Sequence, residues 1–340
     1  MNATRVVLPG LVEPSGLRIE TGPAAAPGRG ELLVAVEATG ISYAEQAMRR
    51  GRYFGQPKFP FVPGYDLVGT VLEAGPGGDG SLVGQRVATM TKTGGWTSHA
   101  VVAARDSVVV PAGLDPAEVE TIVVNGVTAW QMLHRAARVE AGQTILVHGA
   151  SGGVGGILVQ LAHHAGVKVI GGASPRHHDA LRAAGVEPVD YRDPHFADRV
   201  RDLSPGGVDA VFDNIGGPMT QTSYNLLAPG GALVCYAIIE GASGTGGLVL
   251  PFLAAIGRVL LWNALPNGHR ATFYDLWSGH TVRAARFRRH LTEDLGHLFA
   301  LLADGTLQPV VAARFPLAQA GAALALAESR TVSGKVILLP

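Results

Sequence analysis

The sequence predicts an α/β protein in which a doubly wound parallel sheet is joined to a second, β-rich domain. Up to about residue 125, Gly, Pro and Asp residues separate short strand candidates, which is typical of a distorted barrel or sandwich. From residue 126, strand and helix candidates alternate, which predicts a parallel sheet covered by helices. A last strand candidate at 335–339 predicts that the tail rejoins the first domain. We therefore expect a β-rich domain of residues 1–125 completed by 285–340, and a parallel-sheet domain of residues 126–284.

Local patterns predict the individual elements. In the β-rich domain, the strand candidates are the short apolar runs at residues 5–8, 17–20, 31–38, 67–73, 85–89, 96–102 and 107–110. In the second domain, strands are expected at 144–148, 167–173, 208–213 and 232–238, with helices at 153–165, 175–184 and 217–227. Apolar residues at helical spacing between Phe287 and Leu302 predict an amphipathic helix.

Composition restricts the class of partner. The 27 Lys and Arg residues balance the 27 Asp and Glu residues, so no net charge attracts nucleic acid or an anionic membrane. We therefore expect a small-molecule partner. The most apolar stretch, residues 247–262, contains Pro251 and Arg258 and is shorter than the ~20 residues of a membrane span. A pocket wall or a buried strand is the expected structure for it.

Cys235 is the only cysteine, which excludes intrachain disulfides and a cysteine zinc cluster. It lies in a continuous apolar strand candidate, so we expect an unreactive core thiol. The N-terminus lacks a basic segment followed by a long apolar run, so no signal peptide is evident. These observations favour a cytoplasmic location.

A glycine-rich turn indicates a dinucleotide-binding, Rossmann-type domain. The strand candidate at 144–148 is followed by Ala150-x-Gly152-x-x-Gly155 and then by a helix candidate. Gly152 would let the backbone approach a pyrophosphate, and Gly155 would let the helix pack closely on the strand. Because the N–H groups at a helix start attract negative charge, we expect Gly152, Gly153, Val154 and Gly155 to bind the cofactor phosphates.

The end of the second strand predicts the choice of cofactor. Proteins that bind NAD place an acid there for the ribose hydroxyl, whereas Gly171-Gly-Ala-Ser-Pro-Arg-His177 has none. It offers instead the hydroxyl of Ser174 and the guanidinium of Arg176, which can hold a 2′-phosphate. The predicted cofactor is therefore NADPH, with the alternative that Arg176 is an ordinary solvated residue.

Several motifs together resemble one family. They are Phe61-Val-Pro-Gly-Tyr-Asp66, Val83-Gly-Gln-Arg-Val87, Gly126-Val-Thr-Ala129, Val147-His-Gly-Ala-Ser-Gly-Gly-Val-Gly155 and Gly334-Lys-Val336. With the order of the domains, they are similar to the medium-chain dehydrogenase/reductases, in the zinc-free quinone oxidoreductase branch. That branch includes relatives of the vesicle amine transport protein and polyketide-type enoyl reductases. The resemblance implies a GroES-like barrel that carries the catalytic residues, a Rossmann domain and a homodimer.

The resemblance also implies roles for single residues. Zinc-dependent members carry Cys at the position of Thr39 and His at that of Tyr65, so no metal site is expected here. Further cofactor contacts are expected from residues that match the family pattern, namely Thr128, Tyr191, Asn214 and Lys335. For Lys335 the alternative is an ordinary strand-edge lysine.

Ser42 and Glu45 stand where quinone oxidoreductases usually carry Asn and Asp. Tyr43 lies where some enoyl reductases carry a tyrosine that influences protonation of the product. We predict these three as catalytic residues in a loop, with a tyrosine that only packs the cleft wall as the alternative for Tyr43. The stretch from Ile239 to Trp277 is expected to shape the substrate pocket, or to form a loop, a further strand and a dimer contact.

The predicted function is zinc-independent, NADPH-dependent transfer of hydride to a quinone or to an activated C=C bond of an enone or enoyl thioester. Conjugated acceptors need positioning and a hydrogen bond to the carbonyl, which a site without a metal can supply. Two alternatives stay open. One is a specialised biosynthetic enoyl reductase or tailoring enzyme acting on a polyketide-like substrate. The other is a non-catalytic scaffold that binds NADPH.

Overall fold

The computed structural model describes residues 1–237 and 249–340. It contains two compact units, one formed by Met1–Val127 with Gly279–Pro340 and the other by Thr128–Ser278. The sequence boundaries proposed above were 125 and 285. Within the described residues, no helix combines the length and the apolar character needed to cross a bilayer.

The first unit is built on a mostly antiparallel sheet, to which the C-terminal part adds one parallel pair of strands. Its strands are β1 (Asn2–Val7), β2 (Arg18–Pro23), β3 (Glu31–Ile41), β4 (Asp66–Ala74), β5 (Arg86–Met90), β6 (His99–Ala103) and β7 (Ser107–Val109), with β14 (Val311–Pro316) and β15 (Lys335–Leu339) added from the C-terminal part. The strand order is β14-β15-β3-β4-β5-β7, with β6 paired to β3 and with β1 and β2 forming a separate ribbon. Val336 of β15 pairs with Ile41 of β3, so the C-terminal strand lies in the sheet of the first unit. Leu32, Val34, Leu67 and Val87 from this sheet form a buried cluster.

Four helices begin in this unit. They are α1 (Tyr43–Arg49), α2 (Pro116–Trp130), α8 (Ala284–Ala303) and α9 (Ala320–Ser329). The predicted amphipathic helix is α8, which buries Leu291, Leu295 and Leu298. Asp115 begins α2 by accepting hydrogen bonds from the backbone N–H groups of Ala117 and Glu118, both at 3.0 Å.

The second unit is the predicted doubly wound domain. Its strands are β8 (Thr144–His148), β9 (Lys168–Gly172), β10 (Glu187–Val189), β11 (Val208–Asp213), β12 (Leu227–Cys235) and β13 (Arg270–Phe273). The strands are parallel and their order is β10-β9-β8-β11-β12-β13. This is the order of a Rossmann fold, in which the direction of winding changes between the first and the fourth strand, here β8 and β11.

Among its described residues, the helices of this unit are α3 (Gly153–His164), α4 (His178–Ala183), α5 (Phe196–Leu203), α6 (Gly217–Tyr224) and α7 (Val249–Ala264). The core contains Leu146, Ile170, Val211 and Leu233 from four adjacent strands. Two expectations are corrected here. Residues 249–264 form a helix rather than a buried strand, and Tyr43 is the first residue of helix α1 rather than part of a loop.

Candidate functional site

The glycine-rich turn has the geometry that a phosphate-binding turn requires. The turn leads from β8 to α3, and Gly152 immediately precedes the helix. A Cβ atom on Gly155 would lie 2.1 Å from the carbonyl oxygen of Gly149, so only glycine fits at the helix start. The backbone N–H groups of the first turn of α3, which begins at Gly153, can therefore be approached closely by an anion.

Asn214 lies against this turn. It follows β11, which pairs with β8, so both loops leave the same edge of the sheet at the switch point. Gly149 has a φ of +67°, and a Cβ atom there would lie 2.6 Å from Nδ2 of Asn214. Asp213 fixes the Asn214 loop, because its Oδ1 accepts hydrogen bonds from the N–H groups of Ile215 at 2.8 Å and Gly216 at 3.2 Å. The structure thus brings together the predicted fingerprint and the predicted Asn214.

Ser174, Arg176 and Tyr191 leave the sheet at the ends of two adjacent strands. β9 and β10 are parallel neighbours, and the N–H of Ala173 donates to the carbonyl of Val189 at 3.0 Å. Ser174 and Arg176 therefore follow one strand, while Tyr191 follows the other. The side chain of Arg176 is exposed, and its Nε donates to Nε2 of His177 at 3.2 Å.

A further basic residue, which sequence reasoning missed, stands beside Tyr191. The guanidinium of Arg192 lies 5.2 Å from the centroid of the Tyr191 ring. The signal in the sequence was its position, directly after a residue already assigned to the adenosine phosphate. Together with Arg176, it gives this edge of the sheet two guanidinium groups that can meet a phosphate.

Thr128 lies near the end of α2 and is buried, with 7% of its surface exposed. His148, the last residue of β8, is fully buried, and its Nε2 lies 2.9 Å from Oγ of Ser223. Burial lowers the pKa of His148, and the Asp213 carboxylate opposes that shift. The contact with Ser223 holds the His148 side chain at the end of β8, next to the turn.

Ser42 and Glu45 have a structural role that corrects the prediction. They form a capping box at the start of α1, in which Oγ of Ser42 accepts from the N–H of Ala44 at 3.1 Å and Oε2 of Glu45 accepts from the N–H of Ser42 at 2.8 Å. The Ser42 hydroxyl also donates to Glu45 Oε2. Because Glu45 is only 1% exposed, it is placed to hold the helix and not to meet a substrate.

Tyr43 is half-buried at the first position of α1. Burial raises the pKa of its phenol, and the positive charges of Arg330, Arg50 and Arg52 oppose that shift. The phenol therefore keeps its proton at neutral pH and can donate a hydrogen bond.

The two positions that carry zinc ligands in zinc-dependent relatives are filled by hydrogen-bonded side chains. The hydroxyl of Thr39 donates to the carbonyl of Asp66 at 2.7 Å, and the hydroxyls of Tyr65 and Tyr53 are 2.7 Å apart. Across residues 1–237 and 249–340, no group of three or more His, Cys, Asp or Glu side chains is arranged to hold a metal ion.

Lys335 was expected to face a cleft, and the structure contradicts this. Its side chain is 1% exposed, and Nζ donates to Oδ2 of Asp66 at 2.8 Å and to Oε1 of Glu120 at 2.9 Å. Burial alone lowers the pKa of Lys335, but the two carboxylates outweigh burial and the net shift is upward. Lys335 therefore joins β15, β4 and α2 inside the first unit, and neither of the two roles considered above describes it.

The predicted pocket stretch is only partly described. Residues 238–248, and the side chains of residues 249–253, lie outside the described residues. Trp262 is 5% exposed and stacks on Tyr224 in the core, with ring centroids 4.3 Å apart. Leu260, another residue of the stretch, is 65% exposed. The hydroxyl of Tyr274, a third, donates to Oε1 of Gln131 at 2.9 Å. Trp262 is therefore a core residue of the second unit rather than an open pocket wall.

The comparisons with known proteins agree with this architecture. A family model described as an alcohol dehydrogenase GroES-like domain matches residues 28–112, and one described as a zinc-binding dehydrogenase matches residues 185–338. The human synaptic vesicle membrane protein VAT-1 homolog is 30% identical, with 98% of this chain and 86% of that protein covered. A mycocerosic acid synthase-like polyketide synthase of Mycobacterium tuberculosis is 31% identical over 92% of this chain, which spans 14% of the synthase.

Among solved structures, Escherichia coli quinone oxidoreductase complexed with NADPH superposes with a TM-score of 0.85 at 25% identity, covering 99% of this chain and 100% of that one. A GroES-like barrel and a Rossmann domain occur here in one chain, and the zinc-ligand positions hold Thr39 and Tyr65. The chain belongs to the medium-chain dehydrogenase/reductases, in the zinc-free branch that contains the quinone oxidoreductases.

Proposed function

We propose that this protein is a zinc-independent, NADPH-dependent oxidoreductase that reduces a quinone or the activated C=C bond of an enone or enoyl thioester. The observation that carries the proposal is the Ala150–Gly155 turn at the switch point of the parallel sheet, with Asn214 against it. When bound, NADPH supplies a hydride, that is, two electrons together with one hydrogen nucleus. The E. coli quinone oxidoreductase, whose solved structure contains NADPH, supports this choice of cofactor.

The chain's own residues account for binding. The N–H groups at the start of α3 bind the pyrophosphate, and the close packing of Gly155 on Gly149 leaves room for it. Ser174, Arg176 and Tyr191, at the ends of β9 and β10, bind the 2′-phosphate end of the cofactor. Thr128 and Asn214 complete the proposed cofactor contacts.

Catalysis is assigned to the corner of the first unit at which α1 begins. Tyr43 donates a hydrogen bond to the carbonyl oxygen of the acceptor, where negative charge develops during reduction. Ser42 and Glu45 hold α1 in place beneath it through the capping box. A conjugated carbonyl needs no metal in such a site, because the charge is spread between carbon and oxygen.

The acceptor is proposed at the level of chemical class. The likeness to a polyketide synthase favours an enoyl thioester, while the likeness to a quinone oxidoreductase favours a quinone. The VAT-1 homolog is named as a synaptic vesicle membrane protein and not as an oxidoreductase, which supports the third possibility, a protein that binds NADPH without turnover.

A homodimer is also proposed. Among the described strands, β13 ends the six-stranded sheet, and an edge strand offers unpaired backbone groups to a second copy. Leu260 and Leu261, on the adjacent α7, are 65% and 62% exposed. Leu261→Asp should convert a dimer to a monomer in light scattering, and a monomeric wild-type protein would contradict the proposal.

The function is tested with purified protein and three acceptors, namely menadione, hexenal and crotonyl-CoA. We expect NADPH oxidation to depend on the acceptor and to be much faster than NADH oxidation. Tight NADPH binding measured by calorimetry, with no oxidation by any acceptor of the three classes, would support the scaffold. Absence of NADPH binding would refute the proposal.

A further inference from the structure

Two ionisable side chains are buried where the two loops of the proposed cofactor site begin. His148 immediately precedes the glycine-rich turn, Asp213 immediately precedes Asn214, and both ionisable residues are 0% exposed. Val147 pairs with Phe212, so the residues that follow these two stand side by side on β8 and β11. Because residues in register on neighbouring strands point to the same face, the imidazole and the carboxylate share one face of the sheet.

Within the described residues, the imidazole of His148 has a hydrogen-bond partner for one of its two nitrogens. Nε2 lies 2.9 Å from Oγ of Ser223 on α6, while Nδ1 is buried and has none. Nδ1 faces β9, since a Cβ atom on Gly172 would lie 3.0 Å from it. The Asp213 carboxylate is on the other side, because the strand order is β9-β8-β11. A neutral imidazole, which donates through one nitrogen, suits this position, whereas an imidazolium has a second N–H without an acceptor.

Asp213 likewise has one oxygen bonded and one that is not. Its Oδ1 accepts from the N–H groups of Ile215 and Gly216, whereas Oδ2 is buried and has no partner in the described part of the chain. Such an oxygen attracts a nearby cation strongly, because the interior screens charge less than water does. For a protonated His148 to reach it, either the imidazole must leave Ser223 or the carboxylate must leave the N–H groups of its own loop.

Apart from Asp213, the described groups that titrate next to His148 are uncharged at neutral pH. The phenol of Tyr236 lies 3.5 Å from the carbonyl oxygen of His148, and burial and then the Asp213 carboxylate raise its pKa. Burial also raises the pKa of the Cys235 thiol at the end of β12. From α5, the ring of Phe196 packs on the imidazole with centroids 5.6 Å apart. Burial lowers the pKa of His148 from its usual 6.5 and Asp213 opposes this shift, so the imidazole is neutral at neutral pH.

We propose that His148 is a positioning residue of the cofactor site, and that protonation of its imidazole weakens cofactor binding as pH falls. The inference rests on the proposed function, because it concerns the same dinucleotide site. In the neutral state, Ser223 holds the imidazole before the glycine-rich turn and Asp213 holds the Asn214 loop. The added charge draws the imidazole and the carboxylate together, and either movement displaces the start of a loop. Because Gly149 and Asn214 pack closely, the displacement reaches the groups proposed to bind the cofactor.

The test measures the affinity for NADP⁺, which is stable in acid, by calorimetry over the pH range in which each protein stays folded. His148→Gln removes the titrating group and keeps an amide that can reach Ser223. His163→Gln is the matched control. His163 is a half-buried histidine of the same unit whose pKa is also lowered by burial, and it lies at the opposite end of α3 from the glycine-rich turn.

The quantity compared is the ratio of each protein's affinity to that of His148→Gln at the same pH. Titration of the cofactor's own 2′-phosphate affects all proteins alike and cancels in this ratio. Below the folded-state pKa of His148, the ratio for wild type and for His163→Gln should fall by up to about tenfold per pH unit, the slope of one linked proton. A wild-type ratio that stays constant wherever both proteins are folded would overturn the inference.

Asp213→Asn tests the direction of the charge effect, and it decides the question if His148→Gln does not fold. Asn keeps an oxygen for the N–H groups of Ile215 and Gly216 but lacks the negative charge that raises the pKa of His148. The fall in NADP⁺ affinity should therefore begin at a lower pH than in wild type. A fall that begins at the same or at a higher pH would contradict the proposed role of the pair.

Acid unfolding separates positioning from a purely structural role. A lowered histidine pKa gives stability that is present above the usual pKa of 6.5 and is lost as pH falls through the folded-state pKa. Both His148→Gln and His163→Gln should therefore resist acid better than wild type, but only His148→Gln should change the pH profile of NADP⁺ affinity. A constant ratio in a protein that still reduces an acceptor with NADPH would overturn this inference alone. A wild type that binds no NADP⁺ would overturn the proposed function as well.

Discussion

Replacing Lys335 by Met should destabilise the first unit severely, since it removes the positive charge bonded to two buried carboxyl groups. Asp66 and Glu120 are both fully buried, and each is bonded to Nζ of Lys335. Among the described residues, Oδ1 of Asp66 and Oε2 of Glu120 have no hydrogen-bond partner, and the other contact of Asp66 Oδ2 is the uncharged N–H of Val124 at 3.0 Å. Removing one member of a buried ion pair costs about 3–5 kcal/mol.

Glu120→Gln is the matched control. Burial and then the Asp66 carboxylate raise the pKa of Glu120 well above its usual range, because both disfavour its charged form. Gln has nearly the same shape and carries no charge, so it avoids the cost of burying the charged form, and we expect a loss of about 1 kcal/mol or less. The raised pKa of Glu120 makes the wild-type protein more stable at low pH, where the carboxyl group is protonated. This contribution to the free energy of unfolding is lost as pH rises through the folded-state pKa. Glu120→Gln should therefore become more stable relative to wild type as pH rises.

The assay is urea unfolding followed by tryptophan fluorescence, with Trp96 fully buried in the same unit. Lys335→Met/Asp66→Asn should recover part of the lost free energy of unfolding, because the unpaired charge is gone. A loss below about 1 kcal/mol in Lys335→Met, with an unchanged m value, would refute the reasoning. If Lys335→Met folds but binds NADPH about tenfold more weakly, a loss of about 1.4 kcal/mol of binding free energy, the result would support the original assignment of Lys335 as a cofactor contact.

Four further outcomes are expected. Arg176→Ala should raise the KM for NADPH by the factor that corresponds to the ~1.5–3 kcal/mol of a charge-assisted hydrogen bond, and it should leave the KM for NADH nearly unchanged. An equal rise in KM for both cofactors would contradict the assignment. Tyr43→Phe should lower kcat by ~100-fold or less and leave NADPH affinity intact, whereas an unchanged rate and product stereochemistry would make Tyr43 a wall residue. Activity should survive chelators, and metal analysis that finds one zinc per chain, lost together with activity, would refute this. Because burial raises the pKa of Cys235, iodoacetamide should label it only after unfolding, and fast labelling of native protein would show that the thiol is reactive.

The sequence predicted those parts of the fold that depend on local patterns. The parallel-sheet unit follows from alternating strands and helices, and the glycine-rich turn lies where its spacing indicated. The apolar run at 247–262 was misassigned, since residues 249–264 form a helix and a short apolar run fits both a buried strand and a buried helix. Helix α2 was missed although its start was readable, since Asp115 followed by Pro116 is a common beginning of a helix.

In the candidate site, too, local sequence patterns predict the role of some residues and not of others. Ser42-x-x-Glu45 is a capping-box spacing, so the structural role of both residues could have been recognised from the sequence. The partners of Lys335 could not, because Asp66 and Glu120 lie 269 and 215 residues away along the chain. The hydrogen bond between Tyr53 and Tyr65 likewise depends on how α1 and the start of β4 pack, which no local pattern specifies.

Because β15 pairs with β3, the first sheet can be completed only late in the synthesis of the chain. Val336 pairs with Ile41, so the Thr39–Ile41 end of β3 emerges from the ribosome about 300 residues before its partner. At ~5–20 residues per second, this delay is about 15–60 s. Residues 128–278 are completed within this delay and can fold as a contiguous unit, while the first sheet still has an unpaired edge. Slow translation should therefore increase the dependence of folding on chaperones that bind exposed strand edges.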